Sequence, residues 1–186
     1  MPNHEEDDQQ IVYTIGHSNL NNLEFIKLLT LYKINLVIDV RSVPYSKFIP
    51  QYNRENVSQT LNSFDISYKY AGEFLGGRPK NPDCYKNRKL PEKNSDYLQV
   101  VDYSKMMTTE NFLVGINTVI KYISQYKVAI MCSEENPADC HRHYLIGRYL
   151  YNRGYKVLHI RHDGNVVKDQ HLPNKIKELS HNLTLF

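Results

Sequence analysis

Five short strand-like runs, four apolar and one alternating, set the strongest limit on how this chain can fold. They are Ile11–Ile15 (IVYTI), Leu36–Val40 (LVIDV), Ile66–Tyr70 (ISYKY), Val128–Met131 (VAIM) and Val157–Ile160 (VLHI). Runs of four or five residues suit strands better than helices. Between them lie stretches with helical spacing. Asn21 with Glu24 three residues on reads as a capping box. Phe25, Leu28, Leu29 and Tyr32 then recur at i, i+3, i+4 and i+7. Val57, Leu61 and Phe64 share one side of a helix expected over 54–64, and Phe112, Ile116, Val119, Ile120 and Ile123 do so over 111–126. A further helix is expected over 140–153, stopped by Gly154, and a last one over 173–181. Short buried strands alternating with helices call for an α/β domain whose mainly parallel sheet is covered by helices on both faces.

The chain of 186 residues is one domain long, and 41% apolar residues suffice for a core without disulfides or a structural metal. Residues 1–10 (MPNHEEDDQQ) read as an acidic, disordered tail on a domain spanning 11–186. That stretch has neither the basic nor the apolar part of a signal peptide, and no apolar run approaches the length of a membrane span. Three cysteines, Cys84, Cys132 and Cys140, form an odd, sparse set that points to a reducing compartment, hence the cytoplasm. A formal charge of +3 permits an anionic ligand without demanding nucleic acid. Nothing in the sequence fixes an oligomeric state.

In a parallel sheet, ligands bind beyond the carboxyl ends of the strands. Polar residues gather there in this chain. His17 and Ser18 follow the first run, Asp39, Arg41 and Ser46 end or follow the second, Cys132 and Glu134 follow the fourth, and Arg161, His162 and Asp163 follow the fifth. Asp139 is placed to cap the helix that begins at Cys140-His141-Arg142-His143. A helix start favours anions, and the fork of Arg142 suits phosphate or carboxylate. The same field would activate a Cys140 thiolate, whereas the plain alternative makes Cys132 and Cys140 small packing residues. The spacing C-x7-C-H matches no standard zinc pattern, so no metal is expected. No Gly-x-Gly-x-x-Gly or Walker run is present, and the cofactor is left open. The punctuated segment 72–96 reads as an irregular covering loop. Within it, residues 78–93 carry six basic residues against two acidic ones, interleaved with Tyr85.

The motifs TIGHS (14–18), DVRSVPYSKFIPQYN (39–53), ISYKYAGEFLGGRP (66–79) and MCSEENPADCHRHYL (131–145) resemble the DUF488 family over roughly residues 11–170. Lys47 stands where the family often has Arg. The resemblance implies a compact Rossmann-like α/β domain, a three-layer sandwich, and no established reaction.

Three roles follow. In the first, the chain binds a small phosphate-bearing ligand, such as a nucleotide or a nucleic-acid end, and acts on it. His17, Asp39, Cys132, Glu134 and His141 are then the catalytic candidates, and Ser18, Arg41, Ser46, Cys140, Arg142 and Arg161 hold the ligand. In the second, it is a non-catalytic nucleic-acid-binding module using the basic 78–93 loop. In the third, Asp39, Arg41 and Arg142 form a buried ion network that specifies the fold.

Overall fold

The computed structural model describes residues 10–176. All five runs form strands. In chain order they are β1 (Ile11–Gly16), β2 (Leu36–Asp39), β3 (Ser67–Tyr70), β4 (Val128–Cys132) and β5 (Lys156–Ile160), and a sixth, β6 (Val166–Lys168), follows. They form one sheet in the order β3-β2-β4-β1-β5-β6. The first five are parallel, and β6 runs antiparallel to β5.

Period-two alternation sends successive strand residues to opposite faces. Val12, Leu36, Ile38, Val128 and Ile130 face one buried cluster, while Tyr13, Ile15, Val37, Ala129 and Met131 face a second. Helices α1 (Asn22–Leu31) and α2 (Arg54–Asn62) cover the second cluster with Phe25, Leu28, Leu29, Val57 and Leu61. The first cluster is covered by Phe112, Ile116, Val119 and Ile123, from the 14-residue helix Glu110–Ile123, and by Leu145, Ile146 and Leu150, which follow β4. Each such side chain contributes about 1.5–3 kcal/mol when fully buried. The Asn21 capping box is present, with both its hydrogen bonds made. Among the described residues, no helix is long and apolar enough to cross a membrane.

Strand β4 lies between β1 and β2. The chain leaves β1 and β2 toward the helices of one face and leaves β4 toward the other. Loops therefore diverge around the carboxyl end of β4, which is the condition for a crevice in such a sheet.

Several expectations need correction. Asp139 is not a helix cap. The 3₁₀ turn Pro137–Asp139 takes its cap from Asn136, and Cys140 is extended, with φ −139° and ψ 140°. Helical structure begins at His141, is π-helical over Arg142–Gly147 and becomes α-helical over Arg148–Tyr151. Phe64 lies beyond α2 and is exposed. The 72–96 segment is not one irregular loop, since it holds the short helix Gly72–Leu75 and the 3₁₀ turn Pro82–Cys84. Tyr85 is buried and donates its hydroxyl to the Pro79 carbonyl, so it is not available to stack on a base. Of the helix expected over 173–181, residues 173–176 carry no helix, and the remainder lies outside the described residues, as does most of the 1–10 tail.

Candidate functional site

The loop after β4 is seated directly on the end of β1. His17 N–H donates to the Cys132 carbonyl at 3.0 Å, and Ser18 N–H donates to the Ser133 carbonyl at 2.7 Å. This approach needs glycine at 16, because a Cβ there would overlap the Glu134 carbonyl. Arg142 fixes the same loop from below. Its guanidinium, with no exposed surface, donates to the carbonyls of Glu134 and Glu135, and its Nε donates to Thr14 Oγ1 at 3.1 Å. Thr14 Oγ1 in turn bonds His159 Nδ1 at 2.7 Å. One oxygen of Asp169 then bridges His159 Nε2 at 2.8 Å and His143 Nδ1 at 2.6 Å.

A second buried network lies at the end of β2. Arg41 donates to both oxygens of Asp39, from Nε at 2.9 Å and from one terminal nitrogen at 2.6 Å. Tyr68 adds a hydroxyl to Asp39 at 2.7 Å. The other terminal nitrogen of Arg41 lies 3.0 Å from His17 Nε2. Since His17 Nδ1 bonds the Ser18 carbonyl, an acceptor only, that ring carries its proton on Nδ1 and accepts at Nε2. Burial and the adjacent Arg41 charge lower the His17 pKa to about 4, and the ring stacks on Tyr52 with centroids 4.0 Å apart.

Between the two networks opens a cavity of about 350 Å³ whose wall includes Arg41, Cys132, Glu134, Cys140 and His141. His141 Nε2 lies 3.2 Å from the Val40 carbonyl, so it carries the proton and leaves Nδ1 facing the sulfurs. Nδ1 is 3.6 Å from Cys132 Sγ and 3.8 Å from Cys140 Sγ. Glu134 Oε2 is 3.3 Å from Cys132 Sγ. Burial alone would raise the Cys140 thiol. The Cys132 thiol, the Arg142 charge and His141 outweigh it and hold Cys140 well below its ordinary value. Cys132, which supports Cys140 and is itself buried, is pushed well above. The pair is thus one sulfur poised for negative charge beside one that keeps its proton. The arrangement offers a nucleophile, a hydrogen-bond donor and two soft ligand atoms.

A family model described as a domain of unknown function, DUF488, matches residues 23–149. The chain belongs to the DUF488 family. No curated protein and no solved structure matches this DUF488 chain. The matched span leaves out TIGHS (14–18) but includes both networks' arginines and the two cavity cysteines.

The eleven candidate residues fall into three groups. Arg41, Cys132, Glu134, Cys140 and His141 wall the cavity. His17, Asp39 and Arg142 lie behind the wall, and their polar groups are taken up by Arg41, by Tyr68 or by backbone carbonyls. Ser18, Ser46 and Arg161 stand apart from it. Ser46 Oγ accepts from Phe48 N–H within its own turn, and Arg161 forms a two-pronged pair with Glu135 at 2.7 and 2.8 Å. The positions of Arg142 and Arg161 therefore turn two expected anion-holders into loop anchors. Arg78, which the sequence reading placed in the basic 78–93 loop, also lines the cavity, as do Gly77, Tyr97 and Tyr103, which sequence reasoning did not assign to the site. Gly77 had a signal in the Gly76-Gly77 pair, and a Cβ there would come within 2.7 Å of the His141 ring. Tyr97 and Tyr103 had none.

Proposed function

We propose that the cavity at the end of β4 is the working site of this DUF488 protein, and that it takes a small anionic ligand such as a phosphate-bearing or nucleotide-like molecule. The observation that carries this reading is the convergence of Arg41, Cys132, Glu134, Cys140 and His141 on one cavity of about 350 Å³. That volume lies within the range of small-ligand sites. Arg41, in the cavity wall, has five N–H groups, of which Asp39 and His17 take three, leaving two for an anion. Arg78 adds a second guanidinium to the wall. The sulfur and imidazole atoms make the site a reacting one, with Cys140 as the group that attacks or holds the ligand and Glu134 and His141 as proton carriers. The reading treats the fold as a Rossmann-like three-layer sandwich used at its topological switch point. A reducing compartment such as the cytoplasm keeps both cysteines as thiols.

Thermal unfolding with phosphate, nucleotides and short oligonucleotides tests this. A ligand at about 100 times its Kd adds about 2.7 kcal/mol. For a chain of this size that raises Tm by about 5–10 °C. If every compound leaves Tm unmoved, the anion site is refuted.

A further inference from the structure

We infer that Cys132, Cys140 and His141 form a three-ligand site for a thiophilic divalent cation of the zinc class, with its fourth position open to the cavity. The inference deepens the reading of the cavity as the working site and supplies its cofactor.

The distances carry it. Zinc sits about 2.3 Å from thiolate sulfur and about 2.0–2.1 Å from imidazole nitrogen, and a tetrahedral centre with those bonds has S···N edges of about 3.6 Å. Here the two S···N separations are 3.6 and 3.8 Å, and all three ligand atoms lie within 4.8 Å of one another. The two S···N edges match those of such a polyhedron, and the sulfurs lie within 4.8 Å of each other.

The tautomer agrees. The N–H of His141 Nε2 is engaged by the Val40 carbonyl, which frees the Nδ1 lone pair and aims it at the sulfurs. An outer hydrogen bond of this kind is the usual partner of a metal-binding histidine. Cys140 Sγ also receives the Arg142 backbone N–H at 3.5 Å, a contact that suits a thiolate ligand. Two thiolates and one neutral imidazole around one divalent ion would give a neutral, compact centre.

A second buried cluster, of histidine and carboxylate, serves as a contrast. In His143, His159 and Asp169, one carboxylate oxygen lies 2.6 and 2.8 Å from the two imidazole nitrogens. Those are hydrogen-bond lengths, too short to be edges around an ion. The cation argument applies to the sulfur cluster alone of the two.

Sequence spacing hid the site because its ligands come from two elements, the end of β4 and the start of the helix that follows the loop. Three protein ligands and an open position are the pattern of catalytic rather than structural zinc. All three residues line the cavity, from which an anion or a water molecule would complete the centre.

The test is cobalt titration of the full chain after treatment with a chelator. The expected result is one Co²⁺ per chain, with an intense near-ultraviolet thiolate-to-cobalt band and tetrahedral visible bands. Cys132→Ser, Cys140→Ser and His141→Ala should each weaken binding by more than about 100-fold, beyond the 10–100-fold that loss of an outer partner costs. Circular dichroism of each variant confirms that it is folded, and Cys84→Ser should bind as the parent does. Absence of the charge-transfer band, or binding unchanged in all three variants, overturns the inference. The two readings fail separately. If phosphate or nucleotides raise Tm but cobalt gives no band, the metal site falls and the ligand site stands. If cobalt binds as expected and no anion raises Tm or perturbs its visible bands, the ligand site falls and the metal site stands.

Discussion

Asp39→Asn is the substitution that probes the cavity wall most sharply. Asp39 is fully buried and accepts four hydrogen bonds, from the Arg41 backbone N–H at 3.0 Å, from Arg41 Nε and a terminal nitrogen, and from Tyr68. Arg41 is 5% exposed, so its charge is countered inside the protein and scarcely by water. An amide in place of the carboxylate removes that charge and, because each Asp39 oxygen accepts from the guanidinium, sets an NH₂ against guanidinium N–H in either orientation. Breaking a buried ion pair from one side costs about 3–5 kcal/mol. At about 2–4 °C per kcal/mol for a chain of this size, Tm should fall by about 6–20 °C. Urea unfolding followed by circular dichroism measures the free energy, and coincidence with a second probe checks that unfolding is two-state. The double variant Asp39→Leu/Arg41→Met replaces both charges by apolar groups and should recover much of the loss. A loss below about 1 kcal/mol for Asp39→Asn would mean that the pair behaves like a solvated surface pair. A double variant less stable than the single one would show that the cost is not an orphaned charge. Either result refutes the argument.

His17 gives a pH signature. Its folded pKa of about 4 lies below the ordinary 6.5, so the unfolded chain binds the extra proton between those values. Its contribution is present above pH 6.5 and is lost as pH falls toward 4, by about 3 kcal/mol in all. His17→Gln should flatten the stability–pH curve in that window relative to the parent, and an unchanged slope contradicts the assignment. Thr14→Val removes the hydroxyl that joins Arg142 Nε to His159 Nδ1, and should cost about 1–3 kcal/mol by urea unfolding, since the Arg142 N–H is left unpaired in the core. Gly16→Ala pushes a methyl into the Glu134 carbonyl, and should cost about 1–3 kcal/mol and speed proteolysis within 133–139; normal stability would show that the loop yields without strain.

The legible parts of the fold were those governed by periodicity. The runs IVYTI, LVIDV and VAIM are buried on both faces, so their apolar continuity marked them as interior strands. Strand β6 was invisible because its three residues are half-exposed at the sheet edge and need no apolar pattern. The helix start after Cys140 was misplaced for a local reason. Asp139 had the right residue type for a cap, but the Asn136-Pro137 pair builds a 3₁₀ turn first, and Asp139 instead pairs with Lys175 at 2.7 Å. At the site, residue type pointed to arginines without saying whom they serve. Arg142 and Arg161 carry the right chemistry for an anion, yet backbone carbonyls and Glu135 claim them, and those partners arise from loop geometry. The π-helical stretch over Arg142–Gly147 had no sequence mark either. It closes against Asp169, where any Cβ at Gly147 would overlap the carboxylate.

Site-resolved alkylation is the most direct measurement of whether the cavity is the working site. Chelator-treated protein is exposed to iodoacetamide, and mass spectrometry follows Cys132, Cys140 and Cys84 separately, with and without a saturating anion. Cys132 and Cys140 line the cavity, while Cys84 is buried elsewhere. The expected result is labelling within the cavity pair that slows roughly 100-fold at about 100 times the ligand's Kd, with no matching change at Cys84. Equal slowing at all three cysteines, or none at the cavity pair with any anion, would contradict it.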